Sequence, residues 1–95
     1  MRVPIIYVDF NHMVEPDLVV LSSTDSVLDA SGVLVLLSVG LRVSVYTDDL
    51  DENGNIDNLV ANGVVEQNVA SDWSSWAKWC CRIDRDGIRP QSEIQ

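Results

Sequence analysis

The chain has 95 residues, 46% of them hydrophobic, with five Gly and three Pro, which is one domain's worth of globular sequence and leaves little room for a deep active site. Six Lys and Arg stand against 15 Asp and Glu, a formal charge of −9 that argues against nucleic-acid binding, because phosphate recognition is driven by cations. The longest apolar stretch, residues 33–41, is broken by Ser38 and Gly40 and is about half of the roughly 20 residues a membrane helix needs, so neither a membrane partner nor a targeting segment is expected.

Val, Ile and Leu fall in short runs separated by Asn, Asp, Gly and Ser, and no window carries a long apolar repeat of 3.6 residues. Residues 4–10, rich in β-branched and aromatic side chains, form the first expected strand. Residues 17–22 hold Leu18, Val19, Val20 and Leu21 in succession, which suits a strand covered on both faces. A turn signal over residues 29–32 leads into a strand over 33–38. Residues 41–47 alternate, with Leu41, Val43 and Val45 on one face and Arg42, Ser44 and Tyr46 on the other. Residues 59–67 predict a further strand, bulged or bent at Gly63.

Residues 72–83 admit two readings. As a helix, Trp73, Trp76, Cys80 and Ile83 share a face and Asp72 is the N-cap. As a strand, Ala77, Trp79, Cys81 and Ile83 face the core while Trp76, Lys78, Cys80 and Arg82 face outward. The strand is preferred, because aromatic and Cys residues are poor helix formers and Asp84, Arg85, Asp86 and Gly87 read as a hairpin turn. The expected fold is therefore mainly β: a small single-domain curled antiparallel sheet or partly open barrel, of SH3-like or OB-like architecture, with five to six short strands. It should occupy residues 1–89, with residues 90–95 as a frayed tail.

Five of the 15 acids lie in the ten residues 48–57, between the two best strands. There Asp49, Asp51, Asn53, Gly54, Asn55 and Asp57 match the calcium-loop pattern D-x-[DN]-x-[DN]-G and its ninth position, so the segment resembles an EF-hand loop. The resemblance implies a weak calcium site with side-chain oxygens from Asp49, Asp51, Asn53 and Asp57 and a backbone carbonyl from Asn55. Position twelve is Val60, where the family has a bidentate Glu, and the flanks read as strand. The simpler reading is a water-facing hairpin loop in which Asn53 and Gly54 make the turn.

Cys80 and Cys81 are neighbours, which is not the spacing of a disulfide framework, and they read as thiols in a reducing cytoplasm. In a strand Cys81 fills core space and Cys80 is partly exposed; two Cys and one distant His12 do not make a four-ligand zinc site. His12 stands alone, nothing in Ser22, Ser23, Thr24 and Asp25 resembles a nucleophile elbow, and no phosphate or dinucleotide cradle is present, so no catalytic residues are assigned and the chain is read as a non-enzyme.

Charge reverses near the C-terminus, where Lys78, Arg82, Arg85 and Arg89, four of the six basic residues, lie within twelve positions. Trp and Arg are enriched at interface hot spots, so Trp73, Trp76, Lys78 and Arg82 are the candidate contact face. The expected function is that of a small, non-catalytic, cytoplasmic protein-interaction domain without a cofactor, self-associating as a homodimer. Two alternatives belong to other classes: calcium binding at the loop 49–57, and inhibition of a basic protein by an acidic antagonist.

Overall fold

The computed structural model describes residues 3–93. Nine short strands follow in chain order among these residues: β1 (Ile5–Tyr7), β2 (Met13–Glu15), β3 (Leu18–Ser22), β4 (Ser26–Leu28), β5 (Leu34–Leu36), β6 (Arg42–Thr47), β7 (Leu59–Gln67), β8 (Trp79–Ile83) and β9 (Arg89–Pro90). Single 3-10 turns occupy Trp73–Trp76 and Gln91–Glu93. Seven strands form one sheet in the order β1-β6-β7-β8-β3-β2 with β9 also on β7, while β4 and β5 make a separate hairpin.

The fold is mainly β, as expected, but the sheet is mixed and does not close into a barrel. β1 runs parallel to β6, with Ile5 opposite Ser44 and Tyr7 opposite Tyr46. A parallel pair needs a long crossover, and the chain between β1 and β6 supplies one by building β2 to β5 on the way. The remaining pairs in the sheet are antiparallel.

Register sorts side chains onto two faces. Ile6, Val45 and Ala61 line up across β1, β6 and β7, and Val65, Cys81 and Val19 across β7, β8 and β3. With Val43, Trp79 and Ile83 they form the main core, over which the β4–β5 hairpin lays Val27 and Val35. A two-stranded hairpin is marginal alone, so this packing is what holds it. On the opposite face Leu18, Val20, Ala77 and Cys80 form a second, smaller core with Val14 against it.

Three local expectations are corrected. Cys80 is completely buried, because Ala77, Leu18 and Val20 cover the face it was expected to expose, and Ala77 belongs to this second core. Gly63 carries no bulge: register runs through it unbroken, opposite Val43 on one side and Ile83 on the other. Its role is close approach, since a Cβ there would overlap the Arg82 carbonyl oxygen and lie 2.7 Å from Cys81 Sγ. Nor does the chain reverse after β8. Ile83 faces Gly63, and after an excursion Arg89 faces Val60 and Pro90 faces Leu59, so β8 and β9 run in one direction along one edge of β7.

The excursion does contain turn chemistry. Gly87 has φ +71°, its N–H donates to the Asp84 carbonyl at 3.1 Å, and Asp86 N–H donates to Asp84 Oδ1 at 3.1 Å. The remaining edge of β7 recaptures the chain before it can turn away. Beyond it the tail is docked as far as Ser92: Gln91 N–H donates to the Asn58 carbonyl at 2.7 Å, and Ser92 gives N–H and Oγ–H to the two oxygens of Asp57 at 2.9 and 2.8 Å. Residues 94 and 95 of the expected frayed tail lie outside the described residues.

Candidate functional site

The ambiguous segment resolves into both of its readings in succession. Asp72 caps the 3-10 turn, its Oδ1 accepting Ser74 N–H at 2.9 Å and Ser74 Oγ–H at 2.7 Å. Those bonds, chiefly the hydroxyl's, hold the Asp72 carboxyl below its ordinary pKa of 3.8. Asn68 Nδ2 donates to the carbonyls of Ser74 at 2.9 Å and Ala77 at 3.0 Å, and Ser74 is fully buried. β8 then begins at Trp79. Residues three apart eclipse in a 3-10 turn, so Trp73 and Trp76 project together, 53% and 54% exposed. The Trp73 ring lies 6.0 Å from that of His12, whose Nε2 is 3.8 Å from Asp9 Oδ2.

Lys78 and Arg82 do not join the tryptophans in one cationic face. Lys78 Nζ lies 2.7 Å from Asp25 Oδ1 and 5.5 Å from the ring centroid of Trp79, a core-side residue. Arg82 shares the other sheet face with Cys80. It grips Glu66 through Nε and Nη2 at 3.1 and 3.2 Å, and reaches Glu15 at 3.2 Å and Asp17 at 2.8 Å through Nη1. The bonds to Glu66, then to Glu15, raise its pKa above the ordinary arginine value. Both cations are matched or outnumbered by carboxylates of the same chain.

The acidic loop is a strand-to-strand connection, with β6 and β7 where an EF-hand has helices. Leu50 bridges Ile56, Asp51 N–H donates to the Asn55 carbonyl at 2.8 Å, and Gly54 takes φ +82° at the tip. Asp51 Oδ1 is turned inward to accept the N–H groups of Asn53 and Asn55, both at 2.9 Å, and Asp57 holds Ser92. The N–H of Asp49 donates to Asn58 Oδ1 at 3.4 Å. Among the described residues no group of three or more His, Cys, Asp and Glu side chains is placed to hold a metal ion.

Two features escaped the sequence reading. On the β4–β5 hairpin Val27 and Val35 point to the core, while Leu28, Leu34 and Leu36 point outward, 64%, 61% and 72% exposed. The sequence Leu34, Val35, Leu36 is apolar at every position and carried no signal of which face would be open. The second is Asp25, whose Oδ1 also accepts the indole N–H of Trp79 at 3.0 Å.

Comparison with protein-family models, with curated proteins and with solved structures finds no match to this chain.

Proposed function

We propose that the chain is a small, non-catalytic, cytoplasmic protein-interaction domain that associates with a second copy of itself through the outer face of the β4–β5 hairpin. The observation that carries the reading is the row of outward leucines. Leu28 and Leu34 are cross-strand partners, and Leu36 follows Leu34 on the same side. All three are more than half exposed, and a contiguous apolar patch on a small protein signals a contact. A patch of this kind is self-complementary about a two-fold axis, where two hairpins stack as sheet layers about 10 Å apart. A standard interface takes about 800 Å² from each partner, so the residues flanking the leucine row would complete the contact. The cytoplasmic assignment is supported by the two buried thiols, both free, which suit a reducing compartment.

The test is molar mass by light scattering against concentration and salt. Each copy carries −9, so added salt screens the repulsion and strengthens self-association. Mass should rise to that of a dimer with concentration, faster at high salt, and Leu34→Lys should remain monomeric with an unchanged circular dichroism spectrum. A wild type that stays monomeric at the highest attainable concentration and salt, or a Leu34→Lys protein that dimerises equally well, would overturn the reading.

A further inference from the structure

We infer that Trp73, beside His12, and Trp76 form a second contact surface, and that its occupant is a lysine- or arginine-bearing segment of a basic partner protein. The first support is preorganisation. The backbone of the Trp73–Trp76 turn is tied by Asp72 at its start and by Asn68 across it, so both indoles are presented on a fixed frame although each is about half exposed. A contact made by side chains already held in place loses less conformational entropy on binding.

The second support is charge. The basic residues nearby in sequence do not set the charge of this surface, because Lys78 is matched by Asp25 and Arg82 is surrounded by Glu15, Asp17 and Glu66. The acids that accompany the tryptophans are Asp72, which precedes Trp73, and Asp9, which faces His12. The chain as a whole carries −9, a field that draws in cations and repels another acidic chain. Indole is also the aromatic ring most favourable to a cation over its face. Complementarity therefore selects a basic segment over an acidic one, and over a second copy of this chain. The surface shares no residue with the leucine row, and the inference does not depend on self-association.

The test is a titration of the isotope-labelled protein with a synthetic peptide of alternating Arg and Ser, and with the counterpart carrying Glu for Arg, followed by the three indole N–H resonances. Trp79 is the internal control, because its N–H is bonded to Asp25. The Arg peptide should shift the Trp73 and Trp76 resonances saturably and leave Trp79 in place. Affinity should fall steeply with salt and about tenfold or more when Trp73→Ala and Trp76→Ala are combined. The double variant removes only half-exposed rings, and its amide spectrum checks that the fold persists. Shifts confined to the acidic residues 48–57 would mean diffuse attraction and overturn the inference. So would shifts centred on the β4–β5 hairpin, equal binding of the Glu peptide, or no saturable binding.

Discussion

The indole N–H of Trp79 reaches Asp25 Oδ1 at 3.0 Å across 54 positions of sequence. The same oxygen meets Lys78 Nζ at 2.7 Å, and the Asp25 backbone carbonyl accepts Leu37 N–H at 2.8 Å. One residue thus joins the start of the β4–β5 hairpin to the start of β8. The Lys78 bond first, and the Trp79 bond second, hold the carboxyl below its ordinary pKa of 3.8. A depressed folded pKa means that the stabilisation is present above the unfolded value and is lost as pH falls through the folded one. Asp25→Ala should lower the melting temperature at neutral pH, and Asp25→Asn should lower it less, since the amide oxygen still accepts from Trp79. The wild-type advantage over Asp25→Asn should hold near neutrality and decline progressively as pH falls from about 3.8 through the lower folded value. An advantage unchanged in acid would sink this account. The effect is modest, because the carboxylate is largely exposed.

Removing Arg82 would leave Glu15, Asp17 and Glu66 facing one another without their shared cation. Arg82→Met should cost about 1 kcal/mol in urea unfolding, the upper part of the range for solvent-exposed ion pairs. Arg82→Lys should recover only part of it, because an ammonium cannot reproduce the paired bonds to Glu66. Equal stability of Met and Lys variants would show that the cluster contributes no charge-specific stability.

The thiols of Cys80 and Cys81 are both fully buried. Burial, reinforced by Glu66, pushes Cys80 up to about 11, and burial with Asp84 nearby pushes Cys81 up to about 12. Since the thiolate is the nucleophile, the folded protein should resist maleimide at pH values near 8 and should label twice in denaturant. Rapid labelling of the native protein at either position would contradict this packing.

Gly63→Ala should be among the most damaging single-methyl additions. Its Cβ meets the backbone of β8, which cannot swing aside as a flexible side chain would. Overpacking of this kind costs about 1–3 kcal/mol or more, visible as a lower urea midpoint. A midpoint equal to wild type would mean that β8 can move away from β7 freely.

What the sequence made legible follows how local each signal is. β6 and β7 carry their own alternation, β3 is a continuous apolar run, and Asn53 with Gly54 marks the hairpin tip between β6 and β7. The parallel pairing of β1 with β6 depends on residues about 40 positions apart, and no local pattern encodes it. β4 is three residues long, too short to show a period, so the exposed side of its hairpin went unseen. The segment 72–83 misled for another reason. Two structures share it, and a single repeat fitted across both gives Cys80 and Arg82 an open face that Leu18, Val20 and Ala77 in fact partly close. Trp76 is half exposed, as its outward position in the strand reading implied, but the neutralisation of Lys78 and Arg82 was not legible, because Asp25, Glu15, Asp17 and Glu66 come from distant parts of the chain.

The excursion between β8 and β9 has a practical consequence. Ile83 and Arg89 are each held in register against β7, at Gly63 and Val60, so the length of chain between them is not dictated by the sheet. Lengthening a surface loop adds closure entropy only slowly. This is therefore a place where a fluorophore-bearing or affinity peptide can be spliced into the protein with both flanking strands left where they are.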